Sequence, residues 1–268
     1  MEDDLDYKNI VISPHLDDAV FSLGGLLAKE SEKTKIITIF SGIPTKPLVR
    51  IWDKSCGFKN STVAMEERIK ENSFALYSLG IKEKNIINLN YLDKQYRNSF
   101  LTKPKYPIQE IIQSISKELK KIIEIEKNNK LKIFIPISSV HQDHKIVRDI
   151  IIQLYKDERE KIDLYLYQDM PYFYSEYLSK RFYKIFNSKE KILKEIKIKD
   201  LICKQELVEL TNEEFSKKQI ASKLYKSQFN TKFSSIHSLT RKQYFISKKQ
   251  VDIFKIKKPH CEVIYKIL

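Results

Sequence analysis

Cysteine is scarce in this 268-residue sequence, and the three present, Cys56, Cys203 and Cys261, stand far apart. An odd number at such spacing excludes a disulfide framework, and there is no CxxC pair to build a cysteine zinc site. Long apolar runs are missing too. Nothing reaches the roughly 18 residues that a membrane-crossing helix needs. The first residues, MEDDLDYK, are acidic and lack an apolar stretch, so they do not read as a signal peptide. These absences predict a soluble protein of the reducing cytoplasm. There is no block of five or more like charges, and no zinc-finger, RNA-binding or basic-heptad pattern. The net charge of +14 is therefore read as lysine scattered by an AT-rich codon bias. No nucleic-acid partner is expected from it.

What is present is a globular composition, 42% hydrophobic, in a chain long enough to bury a sizeable core. Short apolar runs alternate with amphipathic segments. Residues 8–13, 35–41, 85–91, 131–137 and 163–167 read as strands. Residues 19–30, 63–79, 107–127 and 143–155 read as helices, the second closed by Gly80. Residues 42–61 read as a long loop. Strand and helix in alternation predict an α/β, Rossmann-like fold: a mostly parallel sheet with helices on both faces. Beyond residue 172 the pattern is less regular, with helices expected at 180–186 and 212–229 and a short strand at 262–267. The simplest organisation is one domain, 1–268, with a core at 8–172 and a C-terminal extension at 173–268.

The chain has five histidines, and three of them fall in two compact clusters. Ser13-Pro14-His15-Leu16-Asp17-Asp18 follows the first strand. His141-Gln142-Asp143-His144 follows the fourth. Open α/β sheets bind ligands beyond the carboxyl ends of their strands, and both clusters sit there. A sharp strand-to-helix turn brings His15 and Asp18 to one point, and His141 and His144, three apart at a helix start, share a face. Two imidazoles and a carboxylate hold a divalent ion with a position left for water. A second carboxylate alongside takes the water's proton, and a spare imidazole serves the oxyanion or the leaving amine. Each cluster alone has a plainer explanation: Asp-Asp before a helix is a cap, and a lone HxxH is surface or core. The facial triad of non-haem iron oxygenases uses the same donors, but the α/β alternation disfavours it.

At these residues the sequence resembles the PIG-L/LmbE-like zinc de-N-acetylases, whose signature is a [P/A]HPDD-type turn after the first strand and an HxDH turn later. The resemblance implies a Zn2+ ion, with Fe2+ as the alternative, held by His15, Asp18 and His144. It implies Asp17 as general base, and His141 as oxyanion stabiliser or acid. Asp143 then orients a histidine. The resemblance continues in Gly24-Gly25, read as packing close to the sheet, and in Arg68, Glu71, Ala75-Leu76 and Leu79-Gly80. It also extends to residues 167–172 (YQDMPY), which look like a pocket segment of one subgroup. It implies Arg68 and Asp93 as substrate-binding residues; by sequence alone Arg68 is equally a solvated or capping residue and Asp93 a turn cap. Two departures stand out: Leu16 replaces the usual proline, and Ala19 replaces the usual acidic residue. Trp52 is a pocket wall or a core anchor, and His237 and His260 read as structural.

The function this predicts is removal of an N-acetyl group from an amino sugar or amino-sugar conjugate, a small-molecule substrate. The alternative is a non-catalytic sugar-binding protein on the same fold. Its mark would be a lost base or ligand, and none is lost here.

Overall fold

In the computed structural model, which describes residues 9–97, 108–125, 130–137, 141–170, 202–229 and 260–268, the apolar runs become strands of one sheet. Isoleucine and valine fill them because stiff β-branched side chains pack well on a pleated surface. In chain order the elements are β1 (Asn9–Ser13), α1 (Asp18–Lys29), β2 (Thr34–Thr38), α2 (Ile51–Ser55), α3 (Ser61–Ser78), β3 (Ile86–Asn88) and α4 (Lys94–Arg97). Then come α5 (Ile108–Ile125), β4 (Leu131–Pro136), α6 (Gln142–Asp157) and β5 (Ile162–Tyr167). The last are β6 (Cys203–Glu209), α7 (Asn212–Lys223), α8 (Lys226–Phe229) and β7 (Cys261–Ile267).

The sheet has seven strands in the order β3-β2-β1-β4-β5-β7-β6. The first five run parallel, and β7 and β6 add an antiparallel edge. Alternate strand residues sort to opposite faces. Ile10, Ile12, Ile37, Ile133 and Leu164 meet α5 and α6 in one core. Val11, Ile36, Phe134, Tyr165 and Tyr167 meet α1, α3 and the α7–α8 region in the other. This is the mostly parallel α/β fold the alternation predicts, with helices on both faces. From β1 the chain runs to β2 on one side and comes back to β4 on the other. The carboxyl ends of β1 and β4 therefore flank a switch point, the usual binding crevice of such sheets.

Several elements differ from the sequence reading. A short helix, α2, forms inside the expected loop, where Asp53 is drawn fully into the interior by Arg68. β3 ends at Asn88, two residues before Asn90 turns the chain at φ 60°. β6 was not expected; it is a sheet edge whose polar alternation hides it. The helix expected over 212–229 breaks at Leu224–Tyr225, because Tyr225 turns inward and packs its ring on Phe21 at 5.2 Å. The helix expected over 180–186 lies outside the described residues. Among the described residues, no helix is long and apolar enough to cross a membrane.

Candidate active site

Ser13 ends β1 and shapes the turn after it. Its hydroxyl donates to the His15 carbonyl and accepts from the Ala19 amide at 3.1 Å. The hydroxyl thus caps α1. Asp17 holds the N-cap position, but its side chain makes no capping hydrogen bond. Ala19 is 1% exposed, so the acidic residue usual at that position would be buried here. Leu16, in the proline position, is buried against Met65 and Tyr96. Asp18 turns back, and its Oδ2 accepts from the His15 amide at 2.9 Å.

Across the switch point, His141 is the N-cap of α6, its Nδ1 accepting from the Asp143 amide at 3.3 Å. His144 lies within the first turn of α6 and reaches the β1 side. Three atoms converge: His15 Nδ1, Asp18 Oδ2 and His144 Nε2, each 3.1 Å from the other two. A tetrahedral ion with bonds of roughly 2.0–2.2 Å sets neighbouring ligand atoms roughly 3.3–3.6 Å apart, so a small outward shift of these residues fits one. The His141 ring stands beside them, its centroid 4.9 Å from that of His15.

The far sides of these rings are held as well. His144 Nδ1 pairs with Asp169 Oδ1 at 3.0 Å, and His15 Nε2 with Asp143 Oδ2 at 3.3 Å. In the neutral ring each contact places the proton on the outer nitrogen and leaves the inner one a lone pair. Asp143 is itself fixed by the Lys94 amide at 3.0 Å and by the Arg97 guanidinium. Arg97 also bonds the Leu92 carbonyl and lies over the Phe40 ring at 4.6 Å. His141 is close enough to His15 and His144 for the three to share a cation, and so is a further trio, His15, Asp93 and Asp143. With Arg97 on Asp143, we read that trio as support for His15.

Burial opposes charge throughout this cluster, yet the fields between partners outweigh it. Asp93, Asp143 and Asp18 hold the His15 imidazole well above its ordinary range. Asp18 and Asp169 lift His144 to about 9. His144 and His15 hold the Asp18 carboxyl well below its usual value, and His15 and Arg97 do the same for Asp143. His141 goes the other way: burial, then the positive fields of His15 and His144, push it down to about 4. The three convergent atoms therefore sit in a field that favours positive charge, whether from protons or from a metal cation.

Asp93 faces the same cleft. Its Oδ2 is 3.8 Å from His15 Nε2, while Oδ1 accepts the Gln95 amide and starts α4. Arg68 is 7% exposed and sits beneath α4. It pairs with Asp53 at 3.1 Å, approaches the Tyr96 hydroxyl at 3.5 Å and lies over Phe58 at 5.8 Å. Tyr96 donates to the same Asp53 carboxylate at 3.0 Å. Arg68 is thus buried between α2 and α4, held by Asp53 and Tyr96. Glu71, of the same helix, accepts from the Ser227 amide and hydroxyl and ties α3 to α8. His260 stacks on Phe215 at 4.2 Å; His237 lies outside the described residues. The sequence reading missed Arg97 and the role of Asp169. Asp169 carried a signal, since it directly follows the carboxyl end of β5.

The family model described as PIG-L, GlcNAc-PI de-N-acetylase, matches residues 10–155. Among curated proteins none matches the sequence. Among solved structures, A40926 pseudoaglycone deacetylase Dbv21 is similar with a TM-score of 0.73 at 22% identity, over 98% of this chain and 98% of its own. The zinc inhibited form of teicoplanin deacetylase Orf2 is similar with a TM-score of 0.70 at 18% identity, over 97% and 98%. N,N'-diacetylchitobiose deacetylase from Pyrococcus horikoshii gives 0.54 at 19% identity, over 97% and 83%. At such identities the likeness is one of fold.

Proposed function

Because the chain belongs to the PIG-L family of de-N-acetylases, we propose that it hydrolyses the N-acetyl group of an amino sugar or amino-sugar conjugate, using one divalent ion held by His15, Asp18 and His144. The observation that carries this reading is the triangle of donor atoms at 3.1 Å. Two imidazoles and a carboxylate are a catalytic zinc donor set with an open position; the same donors suit Fe2+. When bound, such an ion activates water and polarises the acetyl carbonyl.

The protein's own side chains do the rest. Asp17 stands beside Asp18, with the helix cap already supplied by Ser13. It takes the proton of the attacking water and returns it to the amide nitrogen as the C–N bond breaks, giving acetate and the free amine. His141 accepts at Nδ1 from the Asp143 amide, so its proton is on Nε2. Held down at about 4, the ring is neutral at neutral pH, which favours hydrogen-bond donation to the oxyanion over acid catalysis. Asp93 and Arg68 are assigned to the sugar, Asp93 by direct contact and Arg68 through the α2–α4 packing it stabilises. The names of the solved neighbours, deacetylases of A40926 pseudoaglycone, teicoplanin and N,N'-diacetylchitobiose, support a sugar conjugate as substrate. Free thiols at Cys56, Cys203 and Cys261 support a reducing, cytoplasmic setting.

Metal analysis combined with acetate release from a panel of N-acetylated amino sugars tests the proposal. A fully metallated protein that releases acetate from none of them would overturn it. Two variants sharpen the assignment. Asp93→Ala is expected to raise KM with kcat little changed, as for a contact made equally in ground and transition states; a fall in kcat alone would move Asp93 into the chemistry. Asp169→Ala is expected to weaken zinc binding by about 10–100-fold, the usual cost of losing a ligand's orienting partner. Unchanged affinity by chelator competition would remove Asp169 from that role.

A further inference from the structure

Helix α1 is broken. At Leu23 φ is −122° and ψ is 19°, outside helical values. In an unbroken helix the Gly25 and Leu26 amides donate to the carbonyls of Phe21 and Ser22. Here they donate to the two carboxylate oxygens of Glu262, at 2.8 and 2.9 Å. The Ser22 carbonyl accepts from Lys218 Nζ at 3.1 Å. Lys218 and Glu262 pair with each other at 2.7 Å and are 2% and 4% exposed. An ion pair brought by α7 and β7 is therefore inserted into the hydrogen-bond ladder of α1, and the opened backbone groups help to satisfy its charges. Gly24 permits the approach, because a Cβ there would lie 2.7 Å from Lys218 Cγ. The Gly24-Gly25 pair thus admits Lys218 and Leu210, where the sequence reading placed close packing on the sheet.

Both halves of the donor triangle are referenced to this break. Asp18 lies one turn before Ser22 in α1. The Ser22 hydroxyl accepts from the Met170 amide at 3.1 Å, and the neighbouring Asp169 holds His144. A further contact grips the turn itself: the Tyr225 hydroxyl, held at 2.8 Å from Asn72 Oδ1, shares its proton with the Leu16 carbonyl, between His15 and Asp17, at 3.1 Å. Resting on the metal site proposed above, we infer that the Lys218–Glu262 pair and Tyr225 are positioning residues for that site. The C-terminal part of the chain then serves as the mount that sets Asp18 and His144 at ligand spacing. A buried ion pair is a weak source of stability against an apolar pair of the same volume. Holding a helix in a broken form is a task an apolar pair cannot perform, because it has no groups to offer the freed amides and carbonyl.

The test compares the parent with two variants, by zinc affinity from chelator competition without substrate and by kcat and KM, all well below each melting temperature. Lys218→Met with Glu262→Met keeps the bulk and removes both charges, a replacement that is often neutral for stability. The Gly25 and Leu26 amides then return to the Phe21 and Ser22 carbonyls and α1 straightens. The expected result is zinc binding weaker by about 10–100-fold and a lower kcat with KM little changed. Tyr225→Phe removes one oxygen and is expected to weaken zinc several-fold. A folded double variant with the parent's zinc affinity and kcat overturns the inference. If the double variant does not fold, Tyr225→Phe decides alone, and parental affinity there overturns it. A parent that binds zinc but releases no acetate sinks the proposed hydrolysis and leaves this inference standing; a parent that binds no divalent ion sinks both.

Discussion

Asp17→Asn is expected to keep its metal and lose about 10²–10⁴ in kcat, the usual contribution of a general base. An amide carbonyl is a poor electrophile and its amine a poor leaving group, so a proton must be removed from water and another delivered to nitrogen. Asn has the size of Asp but no basic carboxylate, so it can do neither. The substitution also separates the two readings of this residue. Asn caps a helix about as well as Asp, so a purely capping Asp17 predicts no change, and Ser13 already supplies a bond to the α1 terminus. His141→Ala is expected to retain metal and lose rate, whereas His144→Ala is expected to lose metal affinity itself. Metal content and single-turnover acetate release would be measured on all three. Parental deacetylation by a fully metallated Asp17→Asn would end the proposed mechanism.

The sequence showed most of what places the site. Apolar runs as dense as NIVIS and LKIFIP have one use in an α/β chain, the buried parallel strand, and each is followed by its histidine cluster. Their pairing as neighbours, β1 beside β4, brings the two clusters together. What escaped was long-range or edge structure. β6 alternates in burial as a half-exposed edge, so it carries no apolar run. Tyr225 sits in a stretch of good helix formers, and its inward turn is dictated by Phe21, Leu16 and Asn72, which are far away in sequence. Arg97 belongs to no motif; its role depends on meeting Asp143 across the cleft. Nothing in the sequence marks Lys218 and Glu262, 44 residues apart, as a buried pair. The partner that holds Arg68 also escaped: Asp53 falls in the expected loop, and its pairing with Arg68 is a long-range contact.

Zinc uptake by the metal-free protein is expected to tighten on the order of 10²-fold between pH 7 and pH 9, with release of at least one proton. His144 sets this figure, and His15, the second imidazole ligand and likewise raised well above its ordinary range, steepens the trend. Asp18 and Asp169 outweigh burial and raise it to about 9, so below that pH a proton occupies the nitrogen that a metal needs. Each pH unit below 9 then costs about tenfold in apparent affinity. Stability of the metal-free chain moves oppositely. A folded pKa above the unfolded value stabilises fully below the unfolded value, roughly 6.5 for histidine, and that contribution fades as pH rises through about 9. The depressed Asp18 acts at the other end: its contribution is present above the ordinary carboxylate range and is lost as pH falls through its folded value. The metal-free protein should therefore melt lower at pH 9 than at pH 6.5, while the zinc-loaded form does not follow it, so the gap between their melting temperatures widens with pH. Chelator competition and melts with zinc or EDTA across this range would measure both effects. A zinc affinity that stays flat from pH 7 to pH 9 would show that His144 carries no competing proton, and that the cluster binds its cation in some other way.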